Sequence, residues 1–251
     1  MKKQPKLTLI GAGPGDPELI SVKGQKALAT ADVVLYDALV DPALLAHAPN
    51  ALTIFVGKRS ANHAKTQDEI NQLIVEYAFS HGHVVRLKGG DSFVFGRGFE
   101  EMEYAELFAI ETEVIPGITS AIAVPALHNI PVTKREVSES FWVITGATSD
   151  GRVSDDVKLA VQSKATVVIL MGLGKLNEIV GTFKQAGKSN LPIAVIQSGS
   201  LPKQKIALGT IETIESAVAE LQIQAPAIIV IGEVVRLSKE FKRLKKELQN
   251  A

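Results

Sequence analysis

Short runs of aliphatic and β-branched residues alternate along most of the 251-residue chain with segments whose apolar positions recur at helical spacing. That alternation is the mark of a mainly parallel sheet with crossover helices. In the first half the runs predict strands over 7–10, 33–36, 53–56, 84–87 and 113–115. Helices are predicted between them, near 22–30, 67–80 and 100–108. In the second of these, Ile70, Leu73, Ile74, Tyr77 and Ala78 fall on one stripe. The texture then changes: Pro116, Pro125 and Pro131 lie close together, and a polar stretch runs from Lys134 to Ser140. A domain boundary is expected near residue 136, giving domains 1–136 and 137–251.

The second half restarts the pattern, with strands expected over 141–145, 167–171, 193–197, 206–209 and 227–231. A helix is expected from the spacing of Leu176, Ile179, Val180 and Phe183. The link 198–203 is too short for a crossover helix, so the strands on either side of it are expected to be antiparallel and the second sheet mixed. Leu237, Phe241, Leu244 and Leu248 sit at helical spacing in a C-terminal segment that reads as a helix docked on its own domain. No repeat of 20 to 50 residues and no low-complexity tract is visible.

Composition narrows the chemistry. Hydrophobic residues make up 46% of the chain and charged residues 22%, an ordinary globular balance. No cysteine is present, so disulfides, thiol nucleophiles, thiolate zinc sites and iron–sulfur clusters drop out, and the balance leans toward a cytoplasmic protein. The 27 basic and 27 acidic side chains cancel, which argues against general affinity for nucleic acid or anionic membrane. The run Leu7–Ala12, interrupted by Thr8 and Gly11, is too short for a signal sequence, and Pro226–Ile231 is too short to span a bilayer.

Two glycine motifs mimic nucleotide loops and fail. In Gly11-Ala12-Gly13-Pro14-Gly15-Asp16 the third glycine comes one residue early for a dinucleotide fingerprint. Pro14 removes a donor from the phosphate cradle, and no helix starts within the turn. Glycines and prolines this dense at a strand end point to a rigid loop facing a ligand. Gly181 to Ser189 ends like a phosphate-binding loop, but five residues separate its glycines and it closes a helical segment, so Gly187 reads as a helix terminator. His81-Gly82-His83 has no acidic or thiol partner at ligand spacing, and no metal site is expected. No Gly-x-Ser-x-Gly elbow anchors a hydrolase triad.

The stretch Arg86 to Gly98 is more specific, crowding glycines, Asp91 and basic side chains into the end of one strand and the loop after it. Loops of similar kind follow three other strands, at Tyr36-Asp37, at Val56-Gly57-Lys58-Arg59 and at Pro116-Gly117-Ile118-Thr119-Ser120. On one edge of a parallel sheet they would converge on a ligand.

These segments, with Ala31 to Asp37, Met171-Gly172-Leu173-Gly174 and Gly232-Glu233-Val234-Val235, run in order along nearly the whole chain and resemble the tetrapyrrole methylases that use S-adenosyl-L-methionine. The resemblance implies an α/β fold of two domains with the cofactor in the cleft between them. It implies that Pro14, Gly89, Gly90, Asp91, Val94, Thr119, Ser120, Met171 and Gly199 line the S-adenosyl-L-methionine pocket. The proton acceptor and donor would fall on Asp37 and Lys58. The implied reaction is transfer of two methyl groups to positions 2 and 7 of uroporphyrinogen III, giving precorrin-1 and then precorrin-2, with two S-adenosyl-L-homocysteine released. A later precorrin methylation within the same family is the alternative. A homodimer is implied as well, with no metal.

The chain departs from the family pattern at Ala38, where arginine is usual, at Lys134 and Ala147, where histidine is common, and at Leu170, where tyrosine often stands. All four bear on the tetrapyrrole side of the expected site. A tetrapyrrole carrying many carboxylates needs cations, and Arg59, Arg97, Lys134 and Arg135, with Thr133 and Lys58 beside them, are expected to converge on the cleft. The overall neutrality hides this, since 236–250 alone holds six basic and two acidic residues. From other classes, a nicotinamide-dependent oxidoreductase would account for the first glycine loop, and a ribosomal RNA methylase is disfavoured by the charge balance.

Overall fold

The computed structural model describes residues 3–57 and 65–243. The chain forms two compact units, 1–119 and 120–251.

The first unit is built in the order β1 (Lys6–Gly11), α1 (Val22–Leu28), β2 (Val33–Tyr36), β3 (Leu52–Phe55), α2 (Gln67–His81), β4 (His83–Lys88), α3 (Gly98–Glu106) and β5 (Glu111–Ile115). Its sheet has the order β3-β2-β4-β1-β5, and every pairing is parallel. Both faces are covered, which is why these strands read as nearly unbroken apolar runs. Leu7, Leu9, Val33, Leu35 and Val84 pack toward Ile70, Ile74 and Ala78 of α2 and Ala105 of α3. Ile10, Val34, Val85 and Leu87 pack on the opposite face with Leu28 of α1 and Leu44. The start of α2 is fixed by a reciprocal cap: the Glu69 N–H donates to Thr66 Oγ1 and the Thr66 N–H donates to the Glu69 carboxylate.

The second unit runs α4 (Ser120–Leu127), β6 (Phe141–Thr145), α5 (Asp156–Ala160), β7 (Thr166–Leu170), α6 (Leu176–Gln185), β8 (Pro192–Gln197), β9 (Lys205–Thr210), α7 (Ile214–Glu220) and β10 (Ala227–Ile231). Its sheet order is β6-β7-β10-β8-β9. Among the described residues, only β6 and β7 pair in parallel, so the sheet is mixed, and β8 and β9 are antiparallel as the short link between them requires. One face carries Val167, Ile169, Val195, Ile229 and Ile231 against Val157, Ile179, Phe183 and Ile214 of the three helices α5, α6 and α7. The other carries Val168, Ile196 and Val230 against Ala121 and Val124 of α4 and Phe241.

The packing of α4 explains where the units divide. Ala121 and Val124 bury their side chains in the second unit's core, so the chain changes unit between Thr119 and Ser120, ahead of the polar stretch near 136. Of the C-terminal stripe, Leu237 and Phe241 join that core, while Leu244 and Leu248 lie outside the described residues. Among the described residues, no helix is long and apolar enough to cross a membrane.

Candidate functional site

Because every strand of the first sheet points the same way, the loops after β1, β2, β3, β4 and β5 leave from one edge. Three of them are locked together through bare backbone. Gly13 and Gly90 exchange hydrogen bonds, with the Gly13 N–H 3.2 Å from the Gly90 carbonyl and the Gly90 N–H 2.6 Å from the Gly13 carbonyl. Gly117 lies so close that a Cβ on it would stand 2.3 Å from the Gly90 carbonyl oxygen and 2.5 Å from the Gly11 carbonyl carbon. Asp91 ties the same loops, since its Oδ2 accepts from the Gly117 N–H at 3.0 Å and its Oδ1 from the Phe93 N–H at 2.9 Å. Its carboxylate thus has a structural task besides any contact with a ligand.

Gly90 adopts φ 70°, and a Cβ there would meet nothing nearer than Thr119 Cα at 4.0 Å. The backbone beside Gly90 is therefore open to a flat ligand, flanked by Thr119 and by the loop that carries Pro14. Gly89 differs, because the space of its absent side chain is filled by Leu39, whose Cβ would be 2.5 Å away. Val94 closes the turn, its N–H donating to the Asp91 carbonyl. Among the described residues, the loops after β4, β7 and β8 also hold Phe95, Arg97, Met171 and Ser198 at positive φ, a conformation that costs energy for residues with a Cβ and gathers at sites where geometry is imposed.

Asp37, at the end of β2, borders a cavity of about 450 Å³ lined also by Val56, Gly57, Lys65, Thr66, Gln67, Ile70, Arg86 and Arg97. Asp37 accepts from the Leu39 N–H at 3.0 Å and, more weakly, from the Gly89 N–H at 3.4 Å, while Arg86 Nη1 stands 3.9 Å from its Oδ2. Behind Arg86 lies a buried polar cluster. Glu101 Oε1 takes Arg86 Nε at 3.2 Å, Lys88 Nζ at 2.9 Å and Gln67 Nε2 at 3.1 Å, and the Glu101 side chain is fully buried. Burial first, then the neighbouring Arg86, pushes the Lys88 ammonium below the usual lysine range, against the pull of Glu101. Arg97 meets the cavity with its guanidinium held bidentately by Glu100, at 2.9 and 2.5 Å.

In the second unit, β6, β7 and β8 also end on one edge, since β6 pairs in parallel with β7, and β7 and β8 both run antiparallel to β10. Met171 and Gly199 follow β7 and β8 there; Met171 is exposed, and Val124 of α4 fills the space beside Gly199. Ser120 opens α4. Thr133, Lys134 and Arg135 are exposed on a loop closed by paired backbone hydrogen bonds between Lys134 and Ser138.

The first unit thus brings Pro14, Gly89, Gly90, Asp91, Val94 and Thr119 to one edge, with Asp37 and Arg97 at its cavity. Ser120, Thr133, Lys134, Arg135, Met171 and Gly199 belong to the second unit. Lys58 and Arg59 lie outside the described residues. Glu101 and Gln67 were missed by the sequence reading. The signal for Glu101 was a carboxylate four residues before Ala105, on the stripe that α3 buries.

The tetrapyrrole (corrin/porphyrin) methylase model matches residues 6–215. A uroporphyrinogen-III C-methyltransferase of Methanocaldococcus jannaschii is 46% identical over 235 residues, covering 92% of this chain and 97% of that one. A sirohaem synthase of Actinobacillus pleuropneumoniae is 44% identical over 246 residues, with the match covering 96% of this chain and 50% of that longer protein. The crystal structure of a uroporphyrin-III C-methyltransferase of Thermus thermophilus with S-adenosylhomocysteine superposes with a TM-score of 0.79 at 35% identity, covering 92% of this chain and 99% of the other.

Proposed function

From the premise that this chain belongs to the tetrapyrrole methylases, we propose that it transfers two methyl groups from S-adenosyl-L-methionine to positions 2 and 7 of uroporphyrinogen III, giving precorrin-2 by way of precorrin-1. The observation that carries the reading is the glycine-lined edge of the first sheet, where the loops after β1, β4 and β5 interlock around Gly90 and leave its outer side open.

The residue types fit the methyl donor. The open backbone at Gly90 suits an adenosine lying against it, with Pro14, Gly89, Val94 and Thr119 as its proposed contacts; Asp91 keeps lone pairs for a hydroxyl or ammonium beyond its two backbone donors. Ser120, Met171 and Gly199 are further proposed contacts of the methyl donor. S-adenosyl-L-methionine supplies an electrophilic methyl group when bound. The electron-rich pyrrole carbon of the substrate is the nucleophile, so the protein's work is to orient it, to balance developing positive charge and to remove a proton.

Asp37 is the proposed group for the last two tasks, a reading supported by its position at the cavity wall, held by the Leu39 N–H. Lys58 is the proposed proton donor. Arg59, Arg97, Thr133, Lys134 and Arg135 are the proposed partners of the substrate carboxylates; for Arg97 this requires exchange of Glu100 for a substrate group, an exchange of one charge-assisted pair for another. The protein is proposed to be cytoplasmic and its active form a homodimer, an oligomeric state that light scattering on eluted protein checks directly.

The test is incubation of the chain with uroporphyrinogen III and methyl-labelled S-adenosyl-L-methionine, with the product weighed by mass spectrometry. Two methyl groups per macrocycle are expected. No incorporation overturns the reading, and incorporation only with a later precorrin moves the substrate within the family.

A further inference from the structure

We infer that Glu101, a residue that touches no substrate, is a positioning residue for the reaction, holding Arg86 in place against the Asp37 carboxylate. The inference deepens the reading given above and rests on the role proposed there for Asp37.

The geometry is specific. Arg86 is almost wholly buried and its hydrogen-bonding groups are divided among three directions. Its Nη1 donates to the carbonyls of Leu87 at 3.1 Å and Leu35 at 3.4 Å and faces Asp37 Oδ2 at 3.9 Å, while its Nε is fastened to Glu101 Oε1 at 3.2 Å. Leu35 and Asp37 both belong to the end of β2, so the guanidinium reads the position of that strand end and is itself aimed from behind by α3. Glu101 concentrates its donors on one oxygen: Arg86, Lys88 and Gln67 all approach Oε1, and the buried Oε2 has no partner among the described residues. A carboxylate evolved only to neutralise two buried cations would gain more by giving each its own oxygen. Sharing a single oxygen fixes Arg86, Lys88 and Gln67 relative to one another, at the cost of an unsatisfied acceptor.

Among the described residues, the charged groups around Asp37 come from four places: Arg86 and Lys88 of β4, Arg97 of the following loop, Lys65 ahead of α2, and Glu101 of α3. Of these, Arg86 is the cation within ion-pair reach of Asp37 among the described residues. Its displacement would take that cation out of reach of the Asp37 carboxylate.

Two substitutions separate position from charge. Glu101→Asp keeps the negative charge and withdraws the carboxylate by one methylene. Positioning predicts that kcat falls at least tenfold, that KM changes less than threefold, and that S-adenosyl-L-homocysteine binds as before. Glu101→Gln removes the charge but keeps an oxygen for Arg86, and should retain more activity than Glu101→Asp at the pH optimum. Rates are taken per mole of folded protein, from the circular dichroism of each variant. If both variants lose thermal stability while kcat and KM of Glu101→Asp stay where they were, the inference is overturned and Glu101 is only structural. Asp37→Asn runs beside them: full turnover there removes the proposed role of Asp37 itself, whereas a dead Asp37→Asn with an unaffected Glu101→Asp removes the positioning role alone.

Discussion

At single residues, the site is shaped as much by atoms that are missing as by those present. Gly117 has no room for a methyl group, because its Cβ would enter the Gly90 carbonyl and the Gly11 backbone, neither of which can rotate away. Gly117→Ala should therefore cost about 1 to 3 kcal/mol in urea unfolding, in line with overpacking elsewhere, and weaken S-adenosyl-L-homocysteine binding by at least tenfold in calorimetry. The sequence placed Gly89, Gly90 and Asp91 correctly at a strand end but could not apportion their tasks. Gly89 accommodates Leu39, Gly90 is open, and Asp91 spends two hydrogen bonds on its neighbours' backbone. Which glycine faces a ligand and which faces another loop depends on contacts between segments tens of residues apart, and local spacing carries no record of them.

At the level of elements, the carboxylate of Glu113 joins β5 to both β1 and α1, with Lys23 Nζ at 2.6 Å and Lys6 Nζ at 2.8 Å. Those two ammonium groups hold its pKa down to about 2, from an ordinary 4.5. A carboxyl whose folded pKa is depressed contributes stability above its unfolded value and loses it as the pH falls toward the folded one. Glu113→Gln should thus be less stable than the parent at pH 7 by about 0.5 to 1 kcal/mol, the scale of a partly exposed pair. In urea unfolding at a series of pH values, that gap should close between pH 4.5 and 2. The strands were the most legible elements: 33–36, 141–145 and 227–231 match the observed bounds, since burial on both faces writes an apolar run into 33–36 and 227–231, while the half-buried 141–145 is marked by its aromatic and β-branched residues. α4 was hidden for the converse reason. Ser120–Leu127 is apolar all round and contains Pro125, so it shows neither a stripe nor the usual absence of proline, and its identity comes from the second unit's core packed around it. α5 and α7, at 5 and 7 residues, are too short to display a period.

Across the whole molecule, composition suggested indifference to anions, and position corrects that impression only in part: Arg97 reaches the cavity, while Lys134 and Arg135 are exposed on their loop. The choice between methyl donor and nicotinamide is open to a simple measurement. Saturating S-adenosyl-L-homocysteine should raise the melting temperature of the full chain by several degrees, as any ligand of the native state does at about 100 times its Kd, and NADH at the same concentration should leave it unmoved. The interlocked backbones of Gly11, Gly90 and Gly117 bear on how such a protein can change. Where three loops meet without side chains there is nothing to vary, so a library selected for a new macrocycle should return its winners at positions such as 38, 97 and 134 and none at 11 or 117. The part of the molecule proposed to grip the methyl donor would then be the part selection cannot edit, leaving substrate range as the freedom available to it.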